Sequence, residues 1–261
     1  MSETKKPQVV IRGRMSAPSS AETRVYIATP AYGSTFSAEY VQSLFRLLRS
    51  RSSKDVDYKF SFLDYADIVT SRNYLISDFF YNYPELTHLL FLDDDMGFEP
   101  SLIAEMIALK EPLVGTIYPK RKVDLEKLHA AKDLAFGKAL ARATEFIGEI
   151  RQPMEGKGKF VSVNHCGTGI MLISRACIET MLAKLPALVD TARFRGMPFA
   201  DKFTRFITPF DKIKTDTAEW SEDYSFCRRW VVDCGGKIWA HASADIRHAG
   251  ALIVKAKYSE R

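Results

Sequence analysis

The stretch His88-Leu-Leu-Phe-Leu-Asp-Asp-Asp-Met-Gly-Phe-Glu-Pro100 joins a short apolar run to three consecutive aspartates. An apolar run of this length is typical of a strand that is covered on both faces of a sheet. Three adjacent carboxylates repel one another, and none of them gains by lying close to a core. Either the strand emerges into water and turns there, or a cation binds at the place where it ends.

Strands and amphipathic helices alternate on both sides of this stretch. A β-rich run from Arg24 is stopped by Pro30, and apolar residues then recur at three- and four-residue intervals over residues 37–48. The alternation continues to a last strand at residues 237–241. It predicts an α/β fold in which helices flank a mostly parallel central sheet.

The composition is that of an ordinary globular chain of 261 residues, of which 46% are hydrophobic and 26% charged. No apolar run approaches the roughly 18 residues that indicate a membrane span. The N-terminal sequence lacks the apolar centre of a secretion signal. Four cysteines without paired metal-type spacing are interpreted as reduced thiols. We therefore expect a cytoplasmic protein, and peripheral contact with a membrane is left open.

One domain is predicted over residues 24–252, between a disordered basic arm at 1–23 and a tail at 253–261. Residues 122–158 are rich in Ala, Lys and Glu and indicate a helical insertion. Residues 191–219 show no period and indicate a lid or an acceptor loop. Of the formal charge of +5, residues 1–24 contribute +3, from five basic and two acidic residues. A solubilising arm explains this charge as well as nucleic-acid or membrane contact does.

The aspartates can be interpreted through strand geometry. Alternate side chains of a strand share a face, so that Asp93 and Asp95 are expected to point together and Asp94 away. Ligands of parallel α/β sheets bind beyond the carboxyl ends of the strands. Two carboxylates there suit Mg²⁺ or Mn²⁺ together with substrate phosphates. The alternative is a solvated turn in which Asp94 or Asp95 caps the helix that begins near Pro100.

Six short motifs extend the interpretation. They are Ser71-Arg-Asn73, Leu90-Phe-Leu-Asp-Asp-Asp95, Val114-Gly-Thr-Ile-Tyr-Pro-Lys120, Cys166-Gly-Thr-Gly-Ile-Met-Leu-Ile-Ser174, Ser221-Glu-Asp-Tyr-Ser-Phe-Cys227 and His248-Ala-Gly250. In this order they resemble the motifs of nucleotide-sugar glycosyltransferases of the Rossmann-like GT-A fold, similar to bacterial and phage members grouped with family two. The resemblance covers about 24–250 without the insertion, and the aspartates correspond to its "DxD" motif.

The resemblance implies metal-dependent transfer of a sugar from a UDP- or GDP-linked donor to a hydroxyl acceptor, such as that of a glycan. Asp95 matches the metal-ligating position, and Asp93 matches the position that reaches the ribose and shares the ion. His248 matches a third ligand of the Mn²⁺ or Mg²⁺ ion, although a lone histidine more often caps a loop end. A metal beside the leaving diphosphate stabilises the negative charge that develops as the glycosidic bond breaks.

The acidic pair at the start of a helix is assigned to catalysis by the same resemblance. Asp223 matches the general base that takes the proton of the acceptor hydroxyl in inverting enzymes. Glu222 is expected to orient the acceptor or to support the loop. The ordinary alternative is that acidic residues often occupy the first turn of a helix, here with Ser221 as its cap.

The predicted donor-binding residues lie at strand ends, at a helix start and in a glycine turn. They are Thr29, Pro30, Tyr32, Arg72, Asp93, Asp94, Gly167, Thr168 and Gly169. Tyr32 offers a stacking surface for the base, and the guanidinium of Arg72 suits phosphate oxygens. The two glycines either let the backbone approach a ligand or form a tight hairpin connection.

Three other functions remain open. A sugar nucleotidyltransferase shares the fold, but such enzymes usually carry a glycine-rich, basic phosphate loop where this chain has Thr29-Pro-Ala-Tyr-Gly-Ser34. A DNA-base-modifying sugar transferase is compatible with the basic arm and the basic residues of 191–219. A non-catalytic nucleotide-sugar-binding module is disfavoured because the aspartates, Asp223 and His248 are all present.

Overall fold

The computed structural model describes residues 23–51 and 55–250, and most of its strands belong to one large sheet. Residues 1–22 of the predicted arm and the whole predicted tail lie outside the described residues, whereas Thr23 begins the first strand. The strands are β1 (Thr23–Pro30), β2 (Val56–Leu63), β3 (His88–Leu92), β4 (Met96–Gly97), β5 (Leu113–Thr116), β6 (Tyr118–Val123), β7 (Thr144–Ile147), β8 (Glu149–Ile150), β9 (Gly156–Lys157), β10 (Phe160–His165), β11 (Ile170–Ser174), β12 (Val189–Asp190), β13 (Phe206–Ile207), β14 (Ile238–His241) and β15 (Arg247–His248).

In the part of the chain that the structure describes, seven α-helices connect or flank these strands. They are α1 (Ala38–Arg49), α2 (Ile68–Ser77), α3 (Pro100–Ala108), α4 (Leu125–Ala130), α5 (Phe136–Arg142), α6 (Arg175–Lys184) and α7 (Glu222–Arg228). Both α2 and α7 continue into a π-helical turn, at Asp78–Asn82 and Arg229–Asp233. Ser37, Ser174 and Ser221 cap α1, α6 and α7 by accepting a backbone N–H. Within the described ranges, no helix has the length and apolarity needed to cross a bilayer.

Nine of the described strands form the central sheet. Eight of them follow the order β2-β1-β3-β11-β5-β14-β10-β8, and the ninth, β9, also pairs with β10. Strands β2, β1 and β3 are parallel, and β14 is parallel to β5. Strands β11 and β10 run antiparallel to each of their neighbours. Seven of the nine strands therefore point the same way, which confirms the expected α/β fold with a mostly parallel sheet.

Strand β3 lies in the middle of this sheet and is buried on both faces. Leu89 and Phe91 belong to one apolar cluster, which also contains buried residues of α2, α6 and α7. Leu90 and Leu92 belong to a second cluster on the other face, with buried residues of α1 and α3. This two-sided burial explains why the run before the aspartates is apolar without alternation. It also places the aspartates at the end of a strand that packing holds on both sides.

The predicted insertion at residues 122–158 contains the two helices α4 and α5, together with short strands. Strand β7 pairs antiparallel with β6, so the two helices form the connection between the strands of this pair. Strands β8 and β9 pair with β10 and extend the central sheet. The insertion is therefore helical over α4 and α5, and its remaining residues add strands to the fold.

Residues 191–211 are packed against α2 through an aromatic cluster. Its five phenylalanines are at most 8% exposed: Phe194, Phe199, Phe203, Phe206 and Phe210. The ring centroids of Phe199 and Tyr74 lie 4.7 Å apart. The side chain of Asn73 donates to Asp211 Oδ1 at 2.8 Å and accepts from the backbone N–H of Phe210 at 3.0 Å. The first part of the predicted lid is thus anchored to the core, and its role as a lid stays a prediction.

Candidate functional site

The aspartates follow β3 in a turn that ends the strand alternation. Strand β3 ends at Leu92, and the backbone N–H of Met96 donates to the carbonyl of Asp93 at 3.1 Å. The N–H of Asp93 itself donates to the carbonyl of Gly169 at 2.9 Å. Because the chain turns here, the alternation of side chains along a strand does not apply to these residues, and the expectation that Asp93 and Asp95 point together stays a prediction. The two carboxylates contact different cationic side chains.

Arg72 links the aspartates to the acidic pair. Its Nη2 atom lies 3.3 and 3.4 Å from the two carboxylate oxygens of Asp93, and its Nε atom lies 3.6 Å from Glu222 Oε1. The Arg72 side chain is only 6% exposed. Burial lowers its pKa, but the negative charges of Asp93 and Glu222 outweigh burial and raise it. Helix α2, strand β3 and helix α7 therefore meet at one buried guanidinium.

Several polar atoms at this junction have no hydrogen-bond partner. Among buried side-chain nitrogens and oxygens of the described residues, five lack a partner, and three of these belong to Arg72 (Nε and Nη1) and Thr168 (Oγ1). Leaving such atoms unpaired costs about 1–3 kcal/mol each, so native proteins keep them chiefly where a ligand or an ordered water completes them. The junction is therefore ready to donate hydrogen bonds to a bound anion or hydroxyl group.

The pKa of Asp93 depends on its burial and on the charges around it. Burial raises the pKa of this carboxyl, the positive charge of Arg72 opposes the rise, and the nearby charge of Asp95 adds to it. The adjacent Asp94 is half-buried, and burial together with the charges of Asp95 and Asp93 raises its pKa to about 6. The repulsion expected from three consecutive aspartates is therefore present, and the protein only partly relieves it with its own cations.

His248 is brought close to the aspartates by the pairing of two short strands, each of two residues. Strand β15 pairs with β4 so that His248 lies opposite Met96, and the N–H of Ala249 donates to the carbonyl of Asp95 at 2.8 Å. His248 Nε2 lies 3.4 Å from Asp95 Oδ2. Burial lowers the pKa of His248, but the Asp95 carboxylate and the Pro119 carbonyl together outweigh burial and raise it. Two of the three predicted metal ligands are thus neighbours.

The predicted metal ligands are of suitable chemical types for a divalent ion, but their side chains are not arranged around one point. The other ring nitrogen of His248, Nδ1, is hydrogen-bonded to the carbonyl of Pro119 at 2.7 Å, as is typical of metal-ligating histidines. Asp93, however, faces Arg72. Over residues 23–51 and 55–250, no three His, Cys, Asp or Glu side chains converge on one point that could hold an ion. The proposed ligand set therefore stays a prediction.

Arg121 is a site residue that sequence reasoning missed. Its Nη1 atom lies 2.9 Å from Asp95 Oδ2, the same oxygen that faces His248. A Cβ atom added at Gly250 would lie 2.9–3.1 Å from three side-chain carbons of Arg121, so the glycine lets the chain pass close to this arginine. The signal in the sequence is the basic run Lys120-Arg-Lys122, which begins at the last residue of the motif Val114–Lys120.

The acidic pair lies at the start of α7. Ser221 Oγ donates to Asp223 Oδ1, and the backbone N–H of Tyr224 donates to the same oxygen at 2.7 Å. These two bonds fix the carboxylate of Asp223, whose charge acts on both Arg72 and Asp93. Asp223 is half-buried, so one side of the carboxylate remains accessible. The structure brings it to the same junction as the aspartates that follow β3.

The glycine turn between β10 and β11 packs on Tyr118. A Cβ atom added at Gly167 would lie 2.1 Å from Tyr118 Oη, and one added at Gly169 would lie 2.9 Å from Tyr118 Cζ. The N–H of Gly169 donates to Tyr118 Oη at 3.2 Å. The space left by both glycines is therefore filled by a protein side chain, and any contact of the turn with a donor stays a prediction.

The residues predicted to bind the nucleobase of the donor, Thr29, Pro30 and Tyr32, differ in the exposure of their side chains. Thr29 is buried, and its Oγ1 atom is 2.6 Å from Tyr40 Oη. Pro30 is buried at the end of β1, whereas Tyr32 is 70% exposed in the turn that follows. Asp64 holds this turn by accepting from Gly33 N and Ser34 Oγ, each at 2.8 Å. Of the three residues, Tyr32 is the one whose side chain is free to stack on a planar ligand.

Comparisons with known proteins show likeness in architecture only. No protein-family model and no curated protein sequence matches the chain. Among solved structures, the protein A197 from STIV is 12% identical over 90% of this chain and 99% of its own, with a TM-score of 0.43. A glycosyltransferase involved in the glycosylation of the major capsid of PBCV-1 is 12% identical over 68% and 73%, with a TM-score of 0.31. The 4-diphosphocytidyl-2C-methyl-D-erythritol synthase of Anaerococcus prevotii DSM 20548 is 10% identical over 84% and 89%, with a TM-score of 0.40.

Proposed function

We propose that this protein is a glycosyltransferase that moves a sugar from a nucleoside diphosphate donor to a hydroxyl acceptor. The observation that carries the proposal is the junction at Arg72, where a buried cation with unpartnered donors joins the aspartates after β3 to the acidic pair of α7. Diphosphate groups are recognised by planar, multiply donating guanidinium groups. A cation for the diphosphate and a carboxylate for the acceptor thus lie side by side.

The proposed reaction is a displacement at the anomeric carbon. The acceptor oxygen forms a bond to that carbon, while the bond to the donor's diphosphate oxygen breaks and its electron pair leaves with the nucleoside diphosphate. The acceptor hydroxyl gives its proton to the Asp223 carboxylate. Asp223 suits this role because Ser221 Oγ and Tyr224 N occupy one of its oxygens and hold it in place, which leaves the other for the acceptor.

Arg72 and Arg121 supply positive charge on the leaving-group side. The unpartnered Nη1 of Arg72 donates to a phosphate oxygen in this proposal, and so stabilises charge that increases as the diphosphate departs. Arg121, 58% exposed and paired with Asp95, is close enough to exchange that carboxylate for a phosphate. The inverting outcome expected from the resemblance requires donor and base to lie on opposite sides of the sugar.

A Mn²⁺ or Mg²⁺ ion is proposed at Asp95 and His248, with Asp93 completing the set after release from Arg72. When bound, the ion supplies Lewis-acid stabilisation of the leaving diphosphate. The support is the chemistry of the ligands and the Nδ1 contact of His248 with the Pro119 carbonyl. UDP- and GDP-linked sugars are both retained as donors.

A panel of nucleotide sugars tests the proposal. The full chain is incubated with UDP- and GDP-sugars and Mn²⁺, Mg²⁺ or a chelator, and both Tm and release of free nucleoside diphosphate are measured. We expect one donor class to raise Tm only with metal, and slow hydrolysis of that donor. Asp95→Ala is expected to abolish the Tm response. Asp223→Asn is expected to retain it while the release of nucleoside diphosphate falls by about 10²–10⁴-fold, because the attacking hydroxyl loses its proton acceptor.

Asp57→Asn is the matched control, because Asp57 is an exposed aspartate at the amino end of β2, whereas the junction lies beyond the carboxyl end of the parallel strand β3. It is expected to behave as the wild type in both measurements. If every donor binds equally well with chelator, the proposed ion is wrong. If no nucleotide sugar changes Tm or is hydrolysed, the proposed activity itself is wrong.

A further inference from the structure

A row of aromatic side chains lies beside the acidic pair of Glu222 and Asp223. The ring centroids of His165 and Tyr224 lie 4.6 Å apart, and those of Tyr224 and Trp220 lie 4.9 Å apart. All three rings are half-buried. The backbone N–H of Tyr224 also holds the Asp223 carboxylate. The aromatic row (His165, Tyr224 and Trp220) therefore begins at the glycine turn and passes directly beside the proposed base.

The aromatic row is fixed before any ligand binds. The guanidinium carbon of Arg228 lies 5.1 Å from the ring centroid of Trp220, and Asp233 holds Arg228 at 3.2 Å. At the other end, His165 Nδ1 is buried and lies 3.2 Å from Glu149 Oε2, without the geometry of a hydrogen bond. The row thus combines ordered ring faces with one polar atom that is left for a ligand to complete.

The charges around the aromatic row are paired within the protein. Lys212 and Lys214 lie 3.2 and 3.4 Å from the carboxylate of Glu219, and Arg228 is paired with Asp233. Binding of a polyanion depends on lysines and arginines that are available to replace its counterions. The surface next to the row offers ring faces and hydrogen-bonding edges with little net charge. It favours an uncharged ligand over a nucleic acid.

We propose that the aromatic row is the acceptor subsite and that its ligand is a neutral pyranose sugar. A pyranose has an apolar C–H face that packs on aromatic rings and a hydroxyl edge that needs polar partners, which this row provides. A sugar stacked on Tyr224 presents a hydroxyl to Asp223, and His165 Nδ1 bonds a second hydroxyl. The inference rests on the proposed function, because it supplies the acceptor for that reaction.

Saturation-transfer NMR tests the subsite without any donor. The full chain is mixed with the methyl glycosides of glucose, galactose, mannose and N-acetylglucosamine, and with a single-stranded oligonucleotide as the competing class. We expect at least one glycoside to receive saturation at its ring C–H protons. Trp220→Ala and Tyr224→Ala are each expected to weaken that glycoside by about tenfold, the loss of one aromatic contact of roughly 1.4 kcal/mol.

Tryptophan fluorescence gives a second readout that a merely structural role would not change. Of the three tryptophans of the chain, Trp230 and Trp239 are 6% and 3% exposed, whereas Trp220 is half-buried. Acrylamide quenching therefore reports mainly on Trp220. The glycoside that gives the NMR signal is expected to reduce this quenching. Phe45→Ala is the control, because Phe45 is 63% exposed on α1, away from the row.

The outcomes separate this inference from the proposed function. If no glycoside is saturated, or if the two variants bind it as tightly as the wild type does, the subsite is wrong even when a nucleotide sugar is hydrolysed. If the oligonucleotide protects Trp220 instead, the acceptor class is wrong. If a glycoside binds but no nucleotide sugar is bound or hydrolysed, the sugar-binding subsite is supported and the proposed transferase activity is wrong.

Discussion

Two arginines lie at opposite ends of strand β3, and the protein holds them in different ways. Arg175 follows β11 at the end where β3 begins. Its guanidinium donates four hydrogen bonds of 2.7–3.2 Å to backbone carbonyls, those of Phe79, Phe80, Tyr83 and Leu86. Arg72 lies where β3 ends and faces the carboxylates of Asp93 and Glu222, with Nη1 unpartnered among the described residues.

The two guanidinium groups have opposite pKa shifts for this reason. Burial lowers the pKa of Arg175, and the charges of Glu179 and Glu85 do not compensate for it. Burial also acts on Arg72, but the carboxylates around it raise its pKa. Carbonyl partners complete a fold, whereas a carboxylate cluster with spare donors is typical of a site that binds a ligand. We therefore expect substitutions at the two ends to affect different properties.

Substitution of Arg175 is expected to have the largest effect, and on stability. Arg175→Met removes four hydrogen bonds of about 1 kcal/mol each and leaves carbonyls without a partner, a loss of roughly 4 kcal/mol in the free energy of unfolding. At about 2–4 °C per kcal/mol for a chain of this size, Tm falls by roughly 10 °C. Calorimetry measures it. The control Arg195→Met removes an exposed arginine with one bond to the Thr191 carbonyl, and a comparable loss there would refute the assignment.

Substitution of Arg72 is expected to act on donor binding, with a smaller free energy. Arg72→Gln removes one charge-assisted interaction with a phosphate, worth about 1.5–3 kcal/mol, and so weakens the nucleotide sugar roughly 10- to 100-fold. Titration calorimetry with the donor found in the panel measures the change in Kd. Arg46→Gln, which removes an exposed arginine paired with Glu99, is the control. An unchanged Kd in Arg72→Gln would mean that this end of β3 is structural as well.

The sequence predicts strand β3 and the sheet around it, because a strand that is buried on both faces has a recognisable apolar run. The apolar run of β3 and the cap of α7 by Ser221 each follow from local chemistry, and the structure confirms both. The order of strands and helices along the chain predicts a mostly parallel sheet for the same reason. Which residues end a strand depends instead on longer contacts. The chain turns after Leu92, where the N–H of Asp93 donates to the carbonyl of Gly169, in the glycine turn before the neighbouring strand β11.

The parts of the site that the sequence could not predict are made by short or irregular elements. Strands β4 and β15 have two residues each, too few for any period, yet their pairing brings His248 to Asp95. Arg121 contacts Asp95 from strand β6, and it lies one residue beyond the motif that ends at Lys120. The phenylalanines of 194–210 are spaced irregularly because the backbone there forms 3₁₀ turns rather than one helix. Their burial against α2 is decided by tertiary packing.

The smallest expected effect is a difference in pH dependence between the two ends of β3, measured with chelator present. At the amino end, burial lowers the pKa of His88 below its ordinary value of 6.5. The unfolded chain then binds a proton that the folded chain does not, so stability is lost as the pH falls below about 6.5. At the carboxyl end, the pKa of Asp94 is raised from 3.8 to about 6. The folded chain there binds the extra proton, so stability is lost as the pH rises from about 4 to 6.

Two variants separate these opposite slopes. His88→Gln is expected to flatten the dependence of Tm on pH below 6.5, because it removes the group whose protonation favours the unfolded chain. Asp94→Asn is expected to raise Tm at pH 7.5 and to leave it nearly unchanged at pH 4, where Asp94 of the folded wild type is already protonated. Both changes are partial, since Asp94 is only half-buried and solvent screens its charge. An Asp94→Asn variant that lowers Tm at pH 7.5 would show that this carboxylate stabilises the turn, and the contrast between the two ends of β3 would lose its electrostatic basis.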